Sequence, residues 1–220
     1  MTQRIFPDKV ARRTQADRSE TTRHQLISAT IDVVRERSFH GASVAEVSKS
    51  AGVTPGAFQH HFGSKAELMM EVVEEILRGD EIGTMRWPDS SRPLPERART
   101  TIEGLWHAVY EPDRFLVAWQ VYFGCATDPV LLERMRQMRA GAGKLIADRF
   151  METFPELARR ADAQTQVSLI LSALRGLGLI RMFGDNPQAA GQLEALIDLL
   201  MERCQPPSSG IPFLRKRRPS

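Results

Sequence analysis

The chain has 220 residues, 42% of them hydrophobic and 26% charged, with a formal net charge of +3 at pH 7. These are the proportions of a soluble globular protein of one or two domains with a substantial apolar core, and so small a net charge does not by itself point to nucleic acid. The two cysteines, Cys125 and Cys204, match no metal or redox spacing and read as reduced, buried thiols of a cytoplasmic protein. The longest apolar-leaning run, around 167–182, is broken by Arg175 and Arg181 and reads as too short and too charged to span a bilayer.

Residues 1–18 are polar, basic and without apolar periodicity, the pattern of a flexible arm. Residues 1–65 hold ten Lys/Arg against six Asp/Glu, which leaves the rest of the chain at −1. A basic N-terminal third on a neutral body is what a phosphate-contacting module requires. A first helix is predicted over 20–37, with Leu26, Ile27, Thr30, Val33 and Val34 on one stripe. A second follows over 44–51, a short third over 55–62 that buries Ala57, Phe58 and Phe62, and a long fourth that opens after Ser64 and carries Leu68, Met69, Val72, Val73, Ile76 and Leu77.

Three helix starts crowd into 43–68. Ser43 and Glu46 form a capping box, in which the serine hydroxyl accepts from the Glu46 amide and the carboxylate reaches back to the Ser43 amide, and Ser64 and Glu67 repeat it. Thr54 caps the short helix with Pro55 at its first position, where a missing N–H costs nothing. Gly52 ends the second helix in the left-handed backbone region. Helices joined by so short a turn cross steeply and present the second as a probe for a DNA major groove. An αα-hairpin that only builds a core would not need the Thr54-Pro55-Gly56 entry, which leaves the helix start bare of bulk. Thr54, Pro55, Gln59 and His60 fall on the outward face, where Gln59 can pair bidentately with an adenine edge or bond a phosphate. His60 and His61 diverge on a helix, with no acid or thiol at ligand spacing, so no metal site is expected there.

Beyond a proline-rich loop over 87–95, helices are predicted over 95–110, 113–126, 129–150, 163–183 and 188–204, with no strand alternation, so the chain reads as all-α. Residues 206–220 read as a disordered basic tail, its Arg215–Arg218 run solvated. Trp106, Tyr110, Phe115, Trp119, Tyr122 and Phe123 lie on neighbouring faces of two helices, as core or as the lining of a pocket for an aromatic or apolar ligand. Arg175, inside an apolar helix, is either a partner for an acid across a dimer interface or a hook for an anionic ligand. No nucleophile–base pair, phosphate loop or metal set is present, so neither an enzyme nor a cofactor is indicated.

Ala51-Gly52-Val53-Thr54, then Gly56, His61-Phe62, Ser64-Lys65 and Leu68, with the stretch upstream from Arg23 to Gly41, resemble the TetR family of bacterial transcriptional regulators. Two positions depart from the pattern: Gln59 stands where a phosphate-contacting tyrosine is usual, and Ser38 where a helix-ending glycine is usual. The resemblance implies a DNA-binding set of Ser43, Thr54, Pro55, Gly56, Gln59, His60, His61 and Lys65, the lysine completing an anion site at a helix start. It implies a flexible arm over 1–18, a three-helix helix-turn-helix domain over 19–65 and a helical effector-binding and dimerisation domain over 66–205. It further implies a cavity for a small-molecule effector near the aromatic cluster, and a homodimer through 163–183 and 188–204 in which Gly176 and Gly178 admit a neighbouring helix. The function so implied is a cytoplasmic, ligand-responsive repressor that binds double-stranded DNA at a palindromic operator, with a helical protein-interaction adaptor or a TetR-like activator as the alternative.

Overall fold

The computed structural model describes residues 15–78 and 85–206. Arg12, Arg13 and the Arg215–Arg218 run lie outside the described residues, as does the expectation that the C-terminal tail is disordered. The described chain is helical throughout, without strands: α1 (Gln15–Gly41), α2 (Val44–Ser50), α3 (Pro55–His61), α4 (Lys65–Arg78), α5 (Leu94–Leu105), α6 (Asp113–Cys125), α7 (Pro129–Thr153), α8 (Pro155–Ala158), α9 (Ala163–Ile180) and α10 (Ala189–Cys204).

Several boundaries differ from the sequence expectation. α1 opens at Gln15, so Arg18 belongs to a helix and not to an arm; the Thr21 and Thr22 hydroxyls donate to the carbonyls of Asp17 and Arg18 at 2.7 and 3.0 Å. At its other end α1 passes Arg37 through a kink at Ser38, whose φ of 63° and ψ of 174° are not helical. The predicted 95–110 helix is α5 followed by a π turn over Trp106–Tyr110, closed by Glu111 N–H donating to the Trp106 carbonyl at 2.8 Å. α7 runs on to Thr153 and stops where Pro155 disfavours helical backbone at Phe154.

Two apolar cores form. The first collects Leu26, Ile27, Val33 and Val34 of α1, Val47 of α2, Phe58 and Phe62 of the α3 region, and Leu68, Met69, Val72 and Val73 of α4. It continues without a break into Val117, Val121 and Cys125 of α6 and Met135 of α7. α4 therefore serves both halves of the molecule, and α1 packs more extensively on α6 than on any other helix. The second core joins α5, the π turn, α7, α8, α9 and α10 around Ile102, Phe150, Phe154, Leu157 and Leu174. Arg97 is buried there; its guanidinium holds Glu156 at 2.6 Å and the Thr153 carbonyl at 2.7 Å, tying α5 to the α7–α8 corner. Both cysteines are free and buried, and burial pushes the Cys204 thiol up to about 11.

α9 bears on three readings of the sequence. With the short 3₁₀ turn that follows, it makes a 21-residue segment, Ala163–Phe183, long and apolar enough by length and composition to cross a membrane, yet only 28% of its most apolar window is buried in the chain. Its outer stripe leaves Leu169 53% and Phe183 90% exposed, with Ile180 and Met182 beside them. Gly178 does not face outward: a Cβ there would lie 2.6 Å from the Phe115 ring and 3.0 Å from the Tyr110 carbonyl, so the glycine lets α9 close on α6 and the π turn. Arg175 turns inward, to the cavity described below.

Candidate nucleic-acid interface and ligand cavity

The helix-turn-helix is assembled by the caps the sequence encodes, with one change of partner in each box. Ser43 Oγ accepts from Glu46 N–H at 3.2 Å and Thr54 Oγ1 from Ala57 N–H at 3.1 Å. Ser64 Oγ accepts from Glu67 N–H at 3.1 Å. The return bonds are not made to the cap amides. Ser43 N–H donates to the Gly41 carbonyl at 2.9 Å, freeing the Glu46 carboxylate to pair with Arg37, and the Glu67 carboxylate accepts from Gly63 N–H at 2.8 Å. Gly52 takes φ 67°, the left-handed value the turn demands.

α3 is pinned by Phe58 and Phe62, both buried, with ring centroids 5.9 Å apart. That leaves Thr54, Pro55, Gly56, Gln59 and His60 exposed as one outward face, with Ser43 exposed at the start of α2. At Gly56 a Cβ would meet only Thr54 Oγ1, at 3.8 Å, so nothing inside the chain calls for a glycine there. His61 is half-buried, 5.2 Å between ring centroids from His60, and its pKa is lowered by burial first and then by the charges of His60 and Arg23, against the opposing pull of Glu20.

Lys65 opens α4, where the sequence puts it, and also has partners within the chain. Its Nζ donates to the Phe39 carbonyl at 2.7 Å and sits 4.3 Å from the centroid of the Phe39 ring; burial lowers its pKa. The ammonium thus joins the kinked end of α1 to the start of α4, a role that only the tertiary structure displays. Other cations of the module are also engaged: Arg23 pairs with Glu71, Arg35 with Asp32 at 3.0 Å, and Arg37 with Glu46. Residues 15–65 hold six Lys/Arg against five Asp/Glu, while 1–14 hold four against one, so most of the basic excess read from the sequence belongs to the first fourteen residues.

A cavity of about 130 Å³ opens between α4, the π turn, α6, α7 and α9. Of the six aromatic candidates, Tyr110, Phe115, Trp119 and Tyr122 line it; Trp106 is buried in the second core and Phe123 is 54% exposed, and neither lines the cavity. Arg175 apart, which the sequence offered as a hook for an anionic ligand, sequence spacing missed two features of the wall. Val73, Ile76 and Leu77 bring α4 to it, and Arg114, Arg139 and Arg175 bring three guanidinium groups, with no carboxylate among the described lining residues. Arg139 lies 5.9 and 6.0 Å from the ring centroids of Trp119 and Tyr122. Burial pushes the Tyr110 phenol up to about 12, so it stays protonated and can donate.

The family model described as bacterial regulatory proteins, tetR family, matches residues 26–72, the span from α1 through the capped helices to α4. The chain is 26% identical over 169 residues to the HTH-type transcriptional regulator CymR of Pseudomonas putida, covering 76% of this chain and 83% of that protein. Among solved structures it resembles a tetR-family transcriptional regulator of Streptomyces coelicolor, with a TM-score of 0.67 and 18% identity over 84% of this chain and 82% of that one. It also resembles the multidrug binding protein EbrR complexed with imidazole, with a TM-score of 0.58 and 22% identity over 85% of this chain and 97% of the other. These structural likenesses establish a shared fold, and the P. putida and S. coelicolor proteins are transcriptional regulators. With its capped outward helix in place, the helix-turn-helix at residues 26–72 matches the tetR family of bacterial regulatory proteins, and the chain as a whole is similar to HTH-type transcriptional regulators.

Proposed function

We propose that this regulator is a homodimeric repressor that releases its operator when a small molecule enters the cavity. One observation carries the reading: α4, whose first residue adjoins the helix-turn-helix, supplies Val73, Ile76 and Leu77 to the cavity wall. A ligand there presses on the helix that sets the position of α3. Ligand and DNA then oppose each other, and the coupling acts equally in both directions. Thr54, Pro55, Gly56, Gln59 and His60 face the major groove, with Ser43, His61 and Lys65 on the flanking backbone. That the EbrR structure, of the same fold, holds imidazole supports a ligand role for the helical body.

The exposed apolar stripe of α9 supports the dimer, since Leu169, Ile180 and Phe183 side by side on a water-soluble protein favour a partner copy. Two copies also supply the two half-sites that useful specificity needs. Working on DNA places the protein in the cytoplasm. Fragments bound by the full chain, selected from random DNA, provide the operator for a fluorescence anisotropy assay. Ala118→Trp, which fills the cavity from α6, is expected to change operator affinity at least fivefold while the protein stays folded. Leu169→Arg with Ile180→Arg is expected to give monomers with operator binding lost. An unchanged affinity in the first variant removes the effector reading, and an intact dimer in the second removes the interface.

A further inference from the structure

We infer that the cavity holds a one-ring aromatic ligand bearing a carbonyl oxygen, and that the Tyr110 phenol donates to that oxygen. This rests on the reading that the cavity is the effector site, and it names the residue that selects what binds. Tyr110 lines the cavity and is 4% exposed. Its hydroxyl makes no hydrogen bond to a described residue, yet the oxygen is not sealed in packed protein as the unpartnered Thr101 hydroxyl is. It therefore opens on the cavity. Burial pushes the phenol up to about 12, against the opposing charge of Arg175. The group is a neutral O–H donor near neutral pH, and a buried donor without an acceptor is costly until a ligand supplies one.

The backbone holds that hydroxyl in one place. The π turn ends on Tyr110 and is closed by Glu111 N–H donating to the Trp106 carbonyl at 2.8 Å, and such turns are frequent at functional sites. Gly178 of α9 lies against the Tyr110 carbonyl, where a Cβ would come within 3.0 Å, and the Arg181 guanidinium donates to the same carbonyl at 3.4 Å. The Tyr110 ring stands edge-on to Phe115, with centroids 5.4 Å apart and planes at 77°. Fixed through both backbone and ring, the donor is in position before a ligand arrives, so binding loses little side-chain freedom. Phe115, Trp119 and Tyr122 offer edges and faces to an aromatic ring. The volume, about 130 Å³, is close to that of a dry cavity known to hold benzene, roughly 150 Å³. One ring with a short substituent is the size that fits.

Titration calorimetry on the full chain with acetophenone and α-methylstyrene tests this. Both probes are uncharged and nearly equal in shape, one carrying a carbonyl oxygen where the other carries a methylene carbon. Every other group of the wall therefore cancels between the wild-type chain and a variant of Tyr110. Tyr110→Phe removes only the hydroxyl, which has no described partner in the chain, so its urea midpoint is expected to match that of the wild type. It is expected to weaken acetophenone binding about fivefold and to leave α-methylstyrene unchanged. Ala118→Trp is expected to abolish binding of both. If Tyr110→Phe weakens both probes alike, or weakens neither, the role of Tyr110 is overturned; loss of both in Ala118→Trp would leave the effector reading standing. If acetophenone does not bind the wild-type chain, the inference is likewise overturned, and the effector reading falls with it only if Ala118→Trp also leaves operator affinity unchanged.

Discussion

Phe39 lies against Gly124 so closely that a Cβ on residue 124 would fall 2.2 Å from two carbons of the Phe39 ring. Phe39 follows the kink in the last turn of α1, and Gly124 sits near the end of α6, whose Phe115, Trp119 and Tyr122 line the cavity. The same phenylalanine accepts from Lys65 at the start of α4 through its carbonyl. Cavity wall, first helix and fourth helix thus meet at one side chain.

Gly124→Ala is therefore expected to destabilise the protein, because the ring must move to admit even a methyl group. Overpacking of this kind costs about 1–3 kcal/mol. The control is Gly141→Ala on α7, where a Cβ meets nothing and helix propensity favours alanine by about 1 kcal/mol. Urea unfolding of both variants gives the comparison. Equal stability of the two would show that the ring has free room. If the contact also transmits the ligand signal, Gly124→Ala shows a smaller ligand-induced change in operator affinity than the wild-type chain.

Ser38→Gly is expected to stabilise the protein. Ser38 holds φ 63° with ψ 174°, a region that is nearly glycine-only and costs a side-chain-bearing residue of order 1–3 kcal/mol. The kink there swings Phe39 out of the helical path and onto Gly124, so the strain has a structural purpose that glycine would serve without it. Part of the relief is offset by the greater freedom of glycine in the unfolded chain, leaving a gain of about 1 kcal/mol. Ser38→Val is expected to lose more than this, since branching at Cβ worsens the clash. A destabilised Ser38→Gly would mean the backbone at 38 is not strained.

Most of the DNA-binding half was legible from residue types alone, because capping serines, Thr54-Pro55 and Gly52 act over three or four positions. Ser38 was also visible, as a serine where glycine is usual, and the structure supplies its backbone consequence. The return partners of Glu46 and Glu67 were not readable, since Arg37 and the Gly63 amide compete for them only once the helices have folded. The partner of Lys65 within the chain was unreadable for the same reason: spacing placed it at a helix start but could not show the Phe39 carbonyl within 2.7 Å. In the cavity, helical periodicity found the aromatic residues but could not tell Trp106, turned into the core by the π turn, from Tyr110 four positions on. The three arginines come from three different helices, and no local pattern links them.

Gly56→Ala separates stability from recognition. In an exposed helix, alanine is favoured over glycine by about 1 kcal/mol, and the site has open space for the methyl group. Unfolding is therefore expected at higher urea. Operator affinity is expected to fall at least tenfold, because a glycine that the chain itself does not need leaves room for DNA to approach the backbone. Unchanged affinity in a stabilised variant would remove Gly56 from the interface.

Deleting residues 1–14 is expected to weaken operator binding through electrostatics. Those residues carry Arg4, Lys9, Arg12 and Arg13 against Asp8 alone, whereas Arg23, Arg35 and Arg37 in the body are paired internally. Each phosphate contact contributes about 0.9 to the slope of log affinity against log salt, so losing the four cations lowers the slope by up to about 3.6. Anisotropy titrations at graded salt measure it. A slope unaltered by the deletion would make these residues a solubilising segment only.

The behaviour of His61 with pH gives opposite signs for its two roles. In the free protein its pKa lies below the ordinary 6.5, chiefly through burial. Between that lowered value and 6.5 the unfolded chain binds the proton and the folded chain does not, so stability rises with pH in this window. The contribution is complete above about 6.5 and declines as the pH falls toward the folded value. A DNA phosphate beside the ring favours the imidazolium and raises its pKa in the complex. Operator affinity is then expected to strengthen as the pH drops through 6.5, against the trend in stability. His61→Gln removes this part of both slopes while leaving His60 in place. A variant that flattens the stability slope but leaves the affinity slope untouched would confine His61 to packing at the junction of α3 and α4.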